Sequence, residues 1–112
     1  MNFKTLGIIP ARIGSSEVKK KNIRLLKGKP LIYYTINAAI NSNLDRVIVS
    51  TDSIEIANIA RTLGAEVPFL RPKFLSGNTS KAIDVVNHTL NWLKIENNWV
   101  PELVGYLQPT SP

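Results

Sequence analysis

The stretch Pro10-Ala11-Arg12-Ile13-Gly14-Ser15-Ser16-Glu17-Val18-Lys19-Lys20-Lys21-Asn22 gathers the side chains in this chain best suited to holding an anion. Arg12 and Lys21, near its two ends, can neutralise phosphate oxygens, the arginine through a planar fork of donors and the lysine as a point charge. Gly14 lets backbone N–H groups approach a ligand, and Ser15 and Ser16 add hydroxyl donors. Positive charge is concentrated in and just beyond this stretch. Arg12, Lys19, Lys20, Lys21, Arg24, Lys27 and Lys29 make up half of the 14 basic residues, against the single acid Glu17. Charge alone suits a nucleic-acid backbone, an acidic membrane surface or the phosphates of a small nucleotide. Aromatic residues are not interleaved with the cations and no nucleic-acid-reading motif is present, so a nucleic-acid partner has little support. Neither G-x-x-x-x-G-K-[ST] nor G-x-G-x-x-G occurs, which removes support for P-loop hydrolysis and for ordinary dinucleotide binding. Arg12, close to a strand end, is a better anion ligand than Lys19 or Lys20, which read as a solvated face.

Other reactive side chains have structural readings. Asp52-Ser53-Ile54-Glu55 has the spacing of a capping box, which suits Asp52 better than metal ligation. His88, the only histidine, falls on an expected helix and reads as a structural or surface residue rather than a general base. Thr110 and Ser111 have no histidine near them in sequence, which leaves hydrolase chemistry without a base. Tyr33, Tyr34 and Tyr106 read as core or rim aromatics.

The anion-binding stretch needs a scaffold, and the rest of the chain alternates strand and helix patterns. Leu6 to Ile9 is an apolar run closed by Pro10, a strand buried on both faces. Pro30 to about Asn41 reads as a largely buried helix with proline in its first turn. Arg46 to Ser50 carries the β-branched run of a central parallel strand. Ile56, Ile59, Ala60 and Leu63 have helical spacing, with Gly64 placed as a left-handed C-cap residue. Glu66 to Leu70 reads as a third strand, confined to an edge by Pro68. Ser80 to Lys94 reads as a third helix with Trp92 at its end, and Leu103 to Leu107 as a fourth strand. The order βαβαβαβ predicts a Rossmann-like α/β fold in three layers: a parallel sheet of order 3-2-1-4 with helices on both faces. Ligands in such folds collect at the C-terminal ends of the strands, which is where the Pro10–Asn22 stretch begins.

Length and composition fit one such domain. The chain has 112 residues, 44% of them hydrophobic, and 14 basic minus 8 acidic residues give a net charge of +6. The absence of cysteine removes disulfides, thiolate metal sites and thiol nucleophiles together. No apolar run reaches the ~18–20 residues needed to span a bilayer, and the N-terminus lacks a secretory pattern. A cytoplasmic protein with no membrane partner is the default expectation.

The string Ile9-Pro10-Ala11-Arg12-x-Gly14-Ser15, followed by Lys21-Asn22-Ile23 and Gly28-Lys29-Pro30-Leu31, resembles the opening signature of the acylneuraminate cytidylyltransferases, the CMP-sialic acid synthetases. Val49-Ser50-Thr51-Asp52, Gly64-Ala65-Glu66-Val67-Pro68-Phe69, Arg71-Pro72 and Leu107-Gln108-Pro109-Thr110-Ser111-Pro112 are similar to later family blocks, so the resemblance covers the whole chain. It implies a nucleotidyltransferase fold in which residues 1–112 form one nucleotide-binding domain, incomplete relative to the full enzyme. It implies transfer of CMP from CTP to a nonulosonic acid with release of pyrophosphate, assisted by Mg2+ whose ligands are not in this chain. Carried over by position, Arg12 and Lys21 would act on the CTP phosphates as the catalytic pair. Ala11, Gly14, Ser15 and Asn22 would line the nucleotide, Arg71 would reach the cytosine edge, and Gln108 would face the sugar or ribose. A homodimer is also implied, and an uncovered fourth strand would favour self-association through its edge. The loop departs from the family at Ile13, Ser16 and Glu17, exchanging glycines and a lysine for bulk and a negative charge; reduced CTP affinity is expected. CMP-Kdo synthetases, and a nucleotide-binding module without turnover, are the alternative expectations.

Overall fold

A computed structural model describes residues 3–11, 25–26, 29–72 and 82–109. Its elements run β1 (Thr5–Pro10), β2 (Leu25–Leu26), β3 (Lys29–Pro30), α1 (Leu31–Ile40), β4 (Arg46–Ser50), α2 (Ile54–Thr62), α3 (Ala82–Asn97) and β5 (Leu103–Tyr106). The short β2 and β3 pair antiparallel as a separate ribbon. Pro30, expected in the first helical turn, closes β3 immediately before α1.

β1 is the middle of a three-stranded parallel sheet of order β4-β1-β5. Alternation of side chains along its strands builds the core on two faces. Ile9, Val47 and Val49 point to the face covered by Ile32, Ile36 and Ala39 of α1 and by Ile56, Ala57 and Ala60 of α2. Leu6, Ile8 and Ile48 point the other way, against Val85 and Leu93 of α3. The result is the expected three-layer α/β arrangement. A Cβ at Gly7 would lie 2.7 Å from Leu44 Cδ1, in the connection between α1 and β4, so a larger residue there needs the leucine side chain to shift.

The expected four-strand order 3-2-1-4 is corrected to three strands, because Glu66 to Leu70 is not a strand. Only Glu66 pairs, as an isolated parallel bridge to Ile48 on the outer side of β4. Glu66 N donates to Val47 O and Val49 N donates to Glu66 O, both at 2.9 Å. In a parallel ladder the next donor would be the N–H of residue 68, and Pro68 has none. Pairing therefore stops after one residue.

Helix ends follow local chemistry. Ser53, not Asp52, caps α2, its Oγ accepting from Ile56 N at 3.2 Å. At the other end Gly64 has φ +99°, the left-handed conformation a glycine supplies after a C-cap. Helix α3 runs past Trp92 to Asn97, and Asn98 with φ 51° ends it. Trp99 N then donates to Leu93 O at 3.2 Å, folding the chain back over the last turn. None of the described helices is long and apolar enough to cross a membrane.

Arg46 at the start of β4 joins three elements. Its guanidinium forms a two-pronged pair with the Glu66 carboxylate, donates to Asn97 Oδ1 at 3.1 Å and lies 5.0 Å from the Trp99 ring centre. The hydrogen bond to Glu66 is the main reason its pKa is raised. Because both partners remain partly exposed, Glu66→Gln is expected to cost only about 0.5–1 kcal/mol, and less in high salt. Urea denaturation of the variant at two ionic strengths checks this.

Candidate functional site

The C-terminal ends of β1 and β4 meet at Ser50. Ala11 is fully buried just past β1, and its backbone N–H donates to Ser50 O at 2.9 Å. Arg71 donates to the same oxygen through Nη2 at 2.6 Å and to Ser50 Oγ through Nε at 3.1 Å. Its backbone N–H reaches Thr51 O at 2.7 Å. The arginine is only 6% exposed, and Ser50 and Thr51 are fully buried. A buried guanidinium is retained only where fixed acceptors replace water, and this strand end supplies them. Thr51 Oγ1 in turn accepts from Ser53 N at 3.1 Å, which sets the turn from β4 into α2.

β5 contributes from the other side of β1. Leu107 N donates to Ile8 O at 2.8 Å, extending the ladder beyond Tyr106. Burial raises the Tyr106 pKa, while the Arg71 charge and a hydrogen bond with Gln108 oppose that rise. Arg71 therefore lies within electrostatic reach of the β5 end, although it follows the bridge on the far side of β4. An open groove of about 800 Å3 runs beside this strand end, with Tyr34, Thr35 and Ala38 of α1 on one wall and Tyr106 and Gln108 on the other.

Of the residues singled out by sequence, Ala11, Arg71 and Gln108 come together at this end of the sheet. Arg12, Gly14, Ser15, Lys21 and Asn22 lie outside the described residues, as does most of the cationic cluster. Ala11, the last described residue before that cluster, donates its N–H to the same Ser50 oxygen that Arg71 meets. Sequence reasoning gave Ser50 and Thr51 no role of their own and read Tyr106 as a core or rim aromatic. The available signal was positional: two hydroxyl residues directly after a β-branched strand, and a tyrosine at the end of the last one. Among the described residues no three His, Asp or Glu side chains gather as a metal site.

The chain is 44% identical to the CMP-N,N'-diacetyllegionaminic acid synthase of Legionella pneumophila over 111 residues, 98% of this chain and 47% of that protein. It is 41% identical to the pseudaminic acid cytidylyltransferase of Campylobacter jejuni, with the same coverage. It thus spans about half the length of these relatives. A solved structure of CMP:2-keto-3-deoxy-manno-octonic acid synthetase complexed with CTP shares the fold, with a TM-score of 0.70 at 22% identity, over 97% of this chain and 41% of that one. The family model described as cytidylyltransferase matches residues 6–112, from β1 through the strand ends gathered on Ser50, and the chain belongs to the cytidylyltransferase family.

Proposed function

We propose that residues 1–112 form the CTP-binding domain of an enzyme that transfers CMP from CTP to a nonulosonic acid. The observation that supports this reading is the convergence of Ala11 and Arg71 on Ser50 at the C-terminal end of a parallel sheet, with Ala11 the last described residue before the cation-rich stretch. In the reaction, the sugar's anomeric hydroxyl oxygen attacks the α-phosphorus, the bond to the β-phosphate oxygen breaks, and pyrophosphate leaves as the hydroxyl loses its proton. The protein's part is alignment and neutralisation of phosphate charge, which basic side chains can supply. Arg12 and Lys21 would hold the phosphates, with Gly14, Ser15 and Asn22 lining them. Arg71 would stand at the base, and Gln108, beside the groove, would meet ribose or sugar. The activities named for the Legionella and Campylobacter proteins support a nonulosonic rather than an eight-carbon acceptor. Mg2+ belongs to the same reading, although among the described residues no cluster of His, Asp or Glu side chains could hold it. Self-association would use β5, whose outer edge pairs with no strand among the described residues and whose Leu103 and Val104 are exposed.

Calorimetric titration with CTP, against ATP and UTP, tests the reading. Saturable binding selective for CTP is expected; equal binding of all three, or none by the folded chain, overturns it. The alternative is a module that binds CTP without transferring CMP, favoured by the loop's departures from the family pattern at Ile13, Ser16 and Glu17. Pyrophosphate release on adding CTP and a nonulosonic acid separates the two.

A further inference from the structure

His88 lies on α3, on the face that packs against the segment leading to Arg71. Its ring meets Phe69 edge to face, with centres 4.6 Å apart and planes at 82°. Trp92, one turn later on the same helix, meets the same Phe69 at 5.7 Å. Two rings spaced i and i+4 on one helix thus grip the residue two positions before Arg71. Packing of this kind requires only an aromatic ring, so it leaves the nitrogens of His88 without a purpose. Yet Nδ1 is buried and has no hydrogen-bond partner among the described residues. A buried nitrogen with no acceptor beside it is costly to protonate, so the packing around His88 favours the neutral ring.

We propose that His88 is a positioning residue for Arg71: as a neutral imidazole it holds the Phe69–Arg71 segment against α3, so that the guanidinium stays on Ser50 at the floor of the nucleotide site. The consequence for the nucleotide rests on the reading given above; the link between His88 and Arg71 does not. Neutrality matters because a second cation beside a buried guanidinium is repelled where screening is weak. Burial, and after it the Arg71 charge, hold the imidazole pKa below its ordinary range. The surrounding groups that titrate or carry charge are Arg71 itself, Tyr106 beyond it on β5, and exposed Asp84 one turn earlier on α3. Phe69 and Trp92 contribute no charge. A folded-state pKa below the unfolded value means that the unfolded chain binds the proton more readily. Stability is then full above about pH 6.5 and declines as the pH falls from there toward the lower folded value.

The only histidine in the sequence makes the test direct. The Cε1–H of His88 and the Nε–H of Arg71 are followed by NMR in the full chain as the pH is lowered from 8. The expected result is one shared midpoint, with the Arg71 signal moving and then broadening into solvent exchange as the imidazole gains its proton. In His88→Phe, which keeps the ring contact with Phe69, the Arg71 signal should stay level over the same range. An Arg71 Nε–H that does not move through the His88 titration in the unaltered chain overturns the proposal, and needs no variant to fold. CTP affinity supplies the second arm. It is expected to fall by about tenfold through the His88 midpoint beyond any fall seen in His88→Phe, which experiences the same protonation of CTP itself. Arg71 following His88 while CTP never binds upholds the positioning role and overturns the nucleotide reading. CTP binding with the same pH profile in both proteins overturns the nucleotide consequence.

Discussion

Replacing Arg12 by alanine is expected to weaken CTP binding by about 1.5–3 kcal/mol, one to two orders of magnitude in Kd, while leaving the fold intact. The expectation rests on what precedes the residue. Ala11 is fully buried and its N–H is bonded to Ser50 O, so the chain is fixed at the residue before Arg12, at the end of the central strand. A cation that begins from a fixed point loses less freedom on meeting a phosphate than one on a free loop. Lys21→Ala should weaken CTP in the same direction, and Arg12→Lys should fall between the parent and Arg12→Ala because it keeps the charge but not the planar fork. Titration calorimetry of the three variants decides the matter. Unchanged affinity in both alanine variants would remove the loop from the site.

Arg71→Ala is expected to have the largest effect on stability, about 2–3 kcal/mol, because a buried charged donor is removed from two acceptors that then face no water. Ser50 O would retain Ala11 N, but Ser50 Oγ would lose the guanidinium Nε–H. The Arg71 backbone bond to Thr51 O survives the substitution, so the segment should loosen rather than detach. Thermal and urea unfolding of this variant measures the loss. CTP titration below its melting transition then separates lost stability from lost binding. If both properties stay at parent values, the guanidinium is neither anchor nor ligand support.

How far the sequence could be read depended on whether a feature was local. Helix α2 was legible because Ile56, Ile59 and Ala60 repeat at helical spacing and Gly64 supplies the left-handed stop. Strands β1 and β4 were legible because short β-branched or apolar runs next to proline or polar residues have few other uses. The third strand was misread for a reason that was itself visible: Pro68 marked an edge, but only the alignment of Glu66 with Ile48 shows that its missing N–H falls where the next ladder bond is needed. The capping residue of α2 was misplaced by one, since Asp52 and Ser53 are both good caps and backbone conformation chose between them. Trp92 was placed at a helix end because nothing in the local pattern reveals that Asn98 can take the left-handed turn.

By itself the sequence determined the alternation of strand and helix, the two-faced burial of the sheet and the place where cations gather, because these depend on periodicity and composition along the chain. Only the tertiary structure decided what Arg71 and His88 do. Arg71 is 21 residues from Ser50, and its guanidinium reaches that strand end because the bridge at Glu66 sets the segment beside β4. His88 reaches the same segment because Leu6, Ile8 and Ile48 draw α3 onto the opposite face of the sheet. Burial then removes water from the Arg71 guanidinium and from Nδ1 of His88, and it is that removal, invisible in a linear string, that leaves fixed protein groups to decide how the two side chains sit.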